Sequence, residues 1–296
     1  MAIRLGRNQY GKAEVRVVAV DRSTPRHTLT DLNVSTSLRG DFTAAHTDGD
    51  NGHVLPTDSQ KNTVFAFARD GIGEPEEFGL RLARHFTGAY PWITGARVAI
   101  ESYGWDRIRV GGQPHDHAFR RTGGEVRTAV VTVDGAEEHV LAGVSGLVVL
   151  KTTGSEFWGF PRDRYTTLAE TRERILATAV TARWRYRSTD LDFADSFAGI
   201  RGTLLETFAA THSMALQQTL FAMGETVLER FAEVAEVRMS MPNKHHFLAD
   251  LSAFGLDNPD VVYHAADRPY GLIEGTVLRD DVPPADVAWL DTPGFC

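Results

Sequence analysis

Four stretches and one isolated arginine have the residue types and spacing for chemistry. The stretches are Tyr10-Gly11-Lys12, Val54-Leu55-Pro56-Thr57-Asp58-Ser59-Gln60-Lys61-Asn62-Thr63, Ser155-Glu156-Phe157-Trp158-Gly159-Phe160 and Met241-Pro242-Asn243-Lys244-His245-His246-Phe247; the arginine is Arg174. A lysine such as Lys12 is ordinarily a solvated surface charge. One that is desolvated, or held near other cations, can act as a general base. Thr57 or Asp58 reads first as a helix cap, with Thr57 and Gln60 at capping-box spacing. The same helix start would offer unpaired N–H groups and partial positive charge to an anionic or carbonyl-rich ligand. Three aromatic rings around Gly159 usually mean core, but one could be a platform for a flat heterocycle. Arg174 could grip two oxygens in a bidentate fork, although a lone arginine is most often an exposed charge.

The histidines give a weaker signal. His245 and His246 are adjacent and point different ways in any regular element, and such pairs rarely ligate one metal together. His115 and His117 fall on one side of a strand. No HExxH, P-loop or Rossmann fingerprint is present, which leaves a standard metalloprotease, nucleotide hydrolase or NAD enzyme unsupported.

Elements must position these residues, and their pattern is strand-rich. Glu14–Asp21 is rich in valine. In Thr28–Arg39 the set Leu32, Val34, Thr36, Leu38 alternates with Asp31, Asn33, Ser35, Ser37, a half-buried antiparallel strand with one wet face. A helix starts at Thr57. Another starts at Pro75, with Glu76 and Glu77 against the positive end of its dipole and Phe78, Leu82 and Phe86 on one face. Strands return at Ala96–Tyr103 and Arg107–Val110. The order then repeats: strands at Val126–Val133 and Val140–Leu150, an irregular stretch, helices near Phe197–Ala210 and Leu216–Phe231, then strands at Val234–Met241 and Gly271–Leu278. This predicts an α+β fold, β-β-α-α-β-β twice. The modules are 1–123 and 124–280, followed by an irregular tail over 281–296. Sheets with open edges gain cover by oligomerising, so a homo-oligomer is expected.

Composition limits the class. The chain has 296 residues, 42% hydrophobic and 24% charged, with a formal net charge of −8. That suits a folded chain with a sizeable core and argues against a broad basic surface for nucleic acid. The single cysteine, Cys296, precludes an internal disulfide or a cysteine metal cluster and fits a reducing compartment. Charged residues interrupt the N-terminal stretch, so no signal peptide is read there. No apolar run reaches the ~20 residues needed to span a bilayer.

Together the groupings resemble the urate oxidase (uricase) family, and they do so in the family's order. They are Tyr10-Gly11-Lys12, Thr57-Asp58-Ser59 with Lys61-Asn62-Thr63, Phe157-Trp158-Gly159-Phe160, Arg162-Asp163 with Tyr165-Thr166-Thr167-Leu168, and Pro242-Asn243-Lys244-His245. The resemblance implies tandem tunnelling-fold (T-fold) modules, with antiparallel sheets carrying helices on one face and closing into a barrel-like tunnel. It implies a homotetramer with active sites at subunit interfaces, Thr57 and Asp58 coming from one chain and the remaining pocket residues from a neighbour. The implied reaction takes urate, dioxygen and water to 5-hydroxyisourate and hydrogen peroxide, with no metal or organic cofactor. By the same resemblance Phe157 stacks on the purine, and Arg174 and the Gln217 amide grip its edges. Leu216 and Asp58 give backbone groups, and Asn243 lines the dioxygen site. Lys12, Thr57 and His245 form the proton relay. Pro56 before Thr57, and Leu216 where the family often has valine, depart from its pattern. The ending Gly294-Phe295-Cys296 lacks the Ser-Lys-Leu peroxisomal signal, so a cytoplasmic setting is expected. The alternatives are a T-fold enzyme acting on a pterin or purine nucleotide, a non-catalytic purine-binding oligomer, and, more remotely, a metal-dependent oxidase using His115 and His117.

Overall fold

A computed structural model of the chain describes residues 3–266, 268–290 and 292. The expectations at Pro293 and at the terminal Gly294-Phe295-Cys296 lie outside the described residues. The chain forms two compact units. The first comprises the described residues of Met1–Gly143, Arg185–Phe197 and Pro283–Asp291; the second comprises those of Val144–Trp184, Ala198–Val282 and Thr292–Cys296.

In chain order the elements begin with β1 (Tyr10–Asp21), β2 (Thr28–Gly40), α1 (Thr43–Thr47), α2 (Thr57–Arg69), α3 (Pro75–Ala89) and β3 (Ile93–Ser102). A two-stranded ribbon follows, β4 (Trp105–Val110) and β5 (Gln113–Arg121), and then β6 (Val126–Asp134) and β7 (Glu137–Lys151). In the first unit the strands run in the order β1-β2-β3-β6-β7, and the β1-β2, β2-β3 and β3-β6 pairs are antiparallel. The fourth strand of this sheet is therefore β6. The Arg107–Val110 strand expected there instead pairs with β5, because few of its side chains are covered and Arg107 is spent on the carbonyls of His27, His115 and Asp116.

The alternation read in β2 holds: Leu32, Val34, Thr36 and Leu38 are buried. The opposite face is not uniformly wet. Asp31 is buried too, and its carboxylate accepts from Arg16 at 2.7 Å and from the Trp105 indole at 2.9 Å. Phe78, Leu82 and Phe86 bury the inner face of α3 against β3 and β6. The helix comes so close that a Cβ on Gly79 would sit 2.7 Å from a Val131 methyl.

The start of α3 is a charged knot. Glu74 caps the helix, Pro75 takes the first turn, and the Glu77 carboxylate accepts from the Glu74 N–H at 3.1 Å. Arg127 of β6 lies over the Phe197 ring and pairs with Glu74 at 2.7 Å and Glu76 at 2.8 Å. Glu76 is fully buried, and the burial outweighs the Arg127 charge, pushing its carboxyl up to about 7. A folded value above the unfolded 4.5 means that Glu76 stabilises the fold below pH 4.5, and that this contribution is lost as pH rises through 7. The full effect is of order 3 kcal/mol at 1.36 kcal/mol per pKa unit. Glu76→Gln is therefore expected to flatten the melting temperature between pH 5 and pH 8 relative to the parent chain. Parallel melting profiles would count against this assignment.

The second unit continues with β8 (Leu176–Tyr186), α4 (Phe193–Ala210), α5 (Leu216–Arg230), β9 (Val234–Pro242), β10 (His245–Leu248), β11 (Tyr263–Ala266) and β12 (Leu272–Leu278). Its strand order is β7-β8-β9-β12, with β9 and β12 antiparallel and β10-β11 a separate hairpin. Leu220, Met223 and Val227 of α5 are buried, and α5 packs on β9 and β12, which contribute Met239 and Val277 to the core. Within the segment expected to be irregular, Asp286–Trp289 forms a short α6 in the first unit, and its Ala288 and Trp289 pack with Val130 and Leu141. Among the described residues, no helix is long and apolar enough to cross a membrane.

Candidate active site

In the second unit a cavity of about 550 Å³ gathers Phe157, Arg174, Leu216, Gln217, Asn243 and His245. These residues span nearly ninety positions, and four local devices bring them together. The loop carrying Phe157 is pinned twice: Phe157 and Thr171 exchange backbone hydrogen bonds at 2.8 and 2.9 Å, and the Glu156 N–H donates to Ser213 at 2.7 Å. Arg174 lies just before β8, and its Nε donates to the buried Ser155 hydroxyl at 3.1 Å. Leu216 and Gln217 open α5. Asn243 and Lys244 leave β9 with their N–H groups donated to Gly271 and Ala177, at 2.8 Å each, which aims the chain into β10 at His245.

The Phe157 ring is half-buried, stacked on Phe160 at 5.0 Å, with the Arg174 guanidinium 5.2 Å from its centre. It is not a core residue; one face borders the cavity. Among the described residues no carboxylate pairs with Arg174, and burial draws its guanidinium below its ordinary value. A desolvated cation lacking a counter-charge favours an anionic or oxygen-rich ligand. His245 is held below the ordinary 6.5 of histidine, first by burial and then by the charges of Arg174 and His246. It is therefore neutral at pH 7 and able to accept a proton. The start of α5, at Ala215, has no side-chain cap, so its first N–H groups are open to a ligand.

Lys12, Thr57 and Asp58 belong to the first unit and do not line this cavity. They form a corner of their own at a bulge in β1. The register with β2 slips between Lys12 and Val15, and Glu14 takes a left-handed φ of 57°. Gly11 is required there because a Cβ would lie 1.7 Å from the Thr36 carbonyl oxygen. The expected Thr57–Gln60 capping box does not form. Pro56 takes the cap position, no side chain caps the helix, and Thr57 is the first helical residue. Gln60 instead turns inward, fully buried, toward Thr36. The Asp58 carboxylate is tied to Lys61 at 2.5 Å and Asn62 at 3.0 Å, which keeps its carboxyl well ionised with a smaller contribution from Lys12. That leaves the Asp58 backbone, rather than its carboxylate, free to meet a ligand.

The supporting contacts of three residues, Ser155, Thr36 and Gln60, are not legible in the sequence. Ser155 anchors Arg174, Thr36 and Gln60 pair under Lys12, and in each case the partners are nineteen or more positions apart. Thr36 did leave a trace, as the one polar residue in the buried row of β2. His115 and His117 share a side of β5, with ring centres 4.5 Å apart, but among the described residues no group of three His, Cys, Asp or Glu side chains could hold a metal ion.

A family model described as Uricase matches residues 8–132 and 140–274. The curated uricase of Arthrobacter globiformis is 58% identical over 292 residues, covering 99% of this chain and 95% of that protein. The uricase of Dictyostelium discoideum is 37% identical over 277 residues, covering 92% and 96% respectively. The crystal structure of uricase from Arthrobacter globiformis superposes with a TM-score of 0.93 at 58% identity, covering 96% of this chain and 98% of that one.

Proposed function

Since the chain belongs to the uricase family, we propose that it oxidises urate with dioxygen and water to 5-hydroxyisourate and hydrogen peroxide, using neither a metal ion nor an organic cofactor. The observation that carries this reading is the convergence on one cavity of an aromatic platform, a guanidinium with no carboxylate partner among the described residues, an uncapped helix start and an imidazole whose affinity for a proton is lowered. The volume, about 550 Å³, is within the range of small-molecule sites.

On this reading Phe157 stacks on the purine, and Arg174 and Gln217 hold its oxygen- and nitrogen-bearing edges. The backbones of Leu216 and Asp58 complete the grip. Dioxygen reacts slowly with closed-shell molecules, so the site must make the ring electron-rich, which removal of a second urate proton does. Lys12, Thr57 and His245 carry that proton away and return it. Arg174 and the helix ends stabilise the anion in a water-poor pocket, where electrostatic effects are strong. Asn243 lines the position taken by dioxygen and then by water. By the family resemblance, we place the Thr57–Asp58 corner of a neighbouring copy over the cavity in a homotetramer. The single cysteine of the sequence suits a cytoplasmic setting.

The test mixes chelator-treated protein with urate and follows urate absorbance and oxygen uptake together. Equal loss of both, with peroxide formed and no metal added, is the expected result. Binding of urate without turnover would favour a purine-binding oligomer, and restoration of activity only by added metal would favour a metal oxidase. A pH profile adds a second check. Activity should fall as pH drops through a value below 6.5, where His245 gains its proton, and His245→Asn should remove that acid limb. An unchanged limb in the variant would take His245 out of the relay.

A further inference from the structure

The bulge that presents Lys12 is held by a chain of hydrogen bonds whose centre, at Thr36 and Gln60, is buried. At the slip in register, two β1 donors find hydroxyls in β2: the Lys12 N–H donates to Thr36 Oγ1 at 3.2 Å and the Glu14 N–H to Ser35 Oγ at 3.0 Å. The Thr36 hydroxyl has one hydrogen. It is 2.7 Å from Gln60 Oε1 and 3.5 Å from the Lys12 carbonyl, so the shorter contact takes the proton. Gln60 Nε2 in turn donates to the Leu55 carbonyl at 3.4 Å, and the Tyr10 hydroxyl donates to that same carbonyl at 3.1 Å. Thr36 is 2% exposed and Gln60 fully buried, so the two groups are shielded from water.

We infer that Gln60, acting through Thr36, is a positioning residue that locks the Lys12 backbone to the first turn of α2, and so fixes the base against Thr57. The inference rests on the relay role given to Lys12 and Thr57 above. Gln60 sits one helical turn past Thr57 and cannot move without moving that turn. Thr36 fixes the other partner, since its hydroxyl is the acceptor for the Lys12 N–H. An apolar pair at these sites would fill the space equally well and would hold neither end. Burial alone therefore does not account for this polar pair, whereas alignment of the relay does.

The experiment measures kcat and KM for urate in the parent chain and in five variants: Gln60→Met, Thr36→Val, Thr36→Ser, Lys12→Met and the double variant Lys12→Met/Gln60→Met. A misplacement of ~1 Å costs about 10²-fold in rate. Gln60→Met and Thr36→Val should accordingly lower kcat by about 10- to 100-fold with KM nearly unchanged, while Thr36→Ser, which keeps the hydroxyl, stays close to the parent. In the Lys12→Met background, Gln60→Met should cost nothing further, because residues acting as a unit are not additive. A Thr36→Val enzyme with the kcat of Thr36→Ser, or a Gln60→Met loss that multiplies the Lys12→Met loss, overturns the inference. Should Gln60→Met fail to fold, the near-isosteric Thr36→Val and Thr36→Ser pair carries the decision. If the parent chain leaves urate and oxygen untouched, the functional reading fails, and the inference falls with it. If the parent turns over and the variants keep its kcat, only the positioning role fails.

Discussion

Lys12→Met is expected to lower kcat for urate oxidation by about 10²–10⁴-fold, the usual contribution of a positioned proton-transfer group, with KM changed only a few-fold. The side chain is unbranched in both residues, so the bulge should survive the exchange. The backbone there is held by its own N–H groups, Lys12 donating to the Thr36 hydroxyl and Glu14 to the Ser35 hydroxyl, contacts that do not involve the ammonium. The loss therefore reports on proton transfer rather than on folding. Steady-state kinetics with matched melting curves are sufficient to check it, and an unchanged rate would remove Lys12 from the mechanism.

Arg174→Ala should raise KM for urate by at least 30-fold, because truncating one partner of a buried, charge-assisted contact costs ~2–5 kcal/mol. Three observations set this size: the guanidinium is half-buried, among the described residues no carboxylate pairs with it, and its Nε is already fixed on Ser155, which leaves the remaining N–H groups for the ligand. Arg174→Lys restores the charge without the planar fork and should recover only part of the affinity. Calorimetric titration with a non-reacting urate analogue separates this binding loss from any effect on chemistry. Equal affinity in the alanine variant and the parent would overturn the assignment.

Much of the frame could be read from residue order, and the reasons for the exceptions are physical. β2 and the buried face of α3 announce themselves by period, since each has one face in the core and one outside. β8 does not, because Ala177, Ala179 and Ala182 are weak strand formers, and its segment reads as irregular in the sequence. The hairpin strands β10 and β11 are four residues each, too short to show a period. Thr57 looked like a cap because capping statistics consider the residue and not its neighbour; Pro56 took the cap position first. At the site, neither Phe157 nor Arg174 nor His245 is distinctive alone. Their order along the chain points to the family, but the pairings of Ser155 with Arg174 and of Gln60 with Thr36 join residues nineteen and twenty-four positions apart, and of these only Thr36, a polar residue in a buried row, leaves a local trace.

The helix starts at Pro56 before α2 and at Ala215 before α5 carry no side-chain cap. A serine or aspartate at either would add roughly 1 kcal/mol to the fold. Selection for durability alone would favour such replacements, and a laboratory screen for heat resistance would find them early. Each would turn a hydroxyl or carboxylate onto the same N–H groups that a bound anion needs, so thermal tolerance gained there is taken from the ligand. The two helix starts thus mark where folding and binding compete for the same few hydrogens, and where improvement by heat selection alone should be steered elsewhere in the chain.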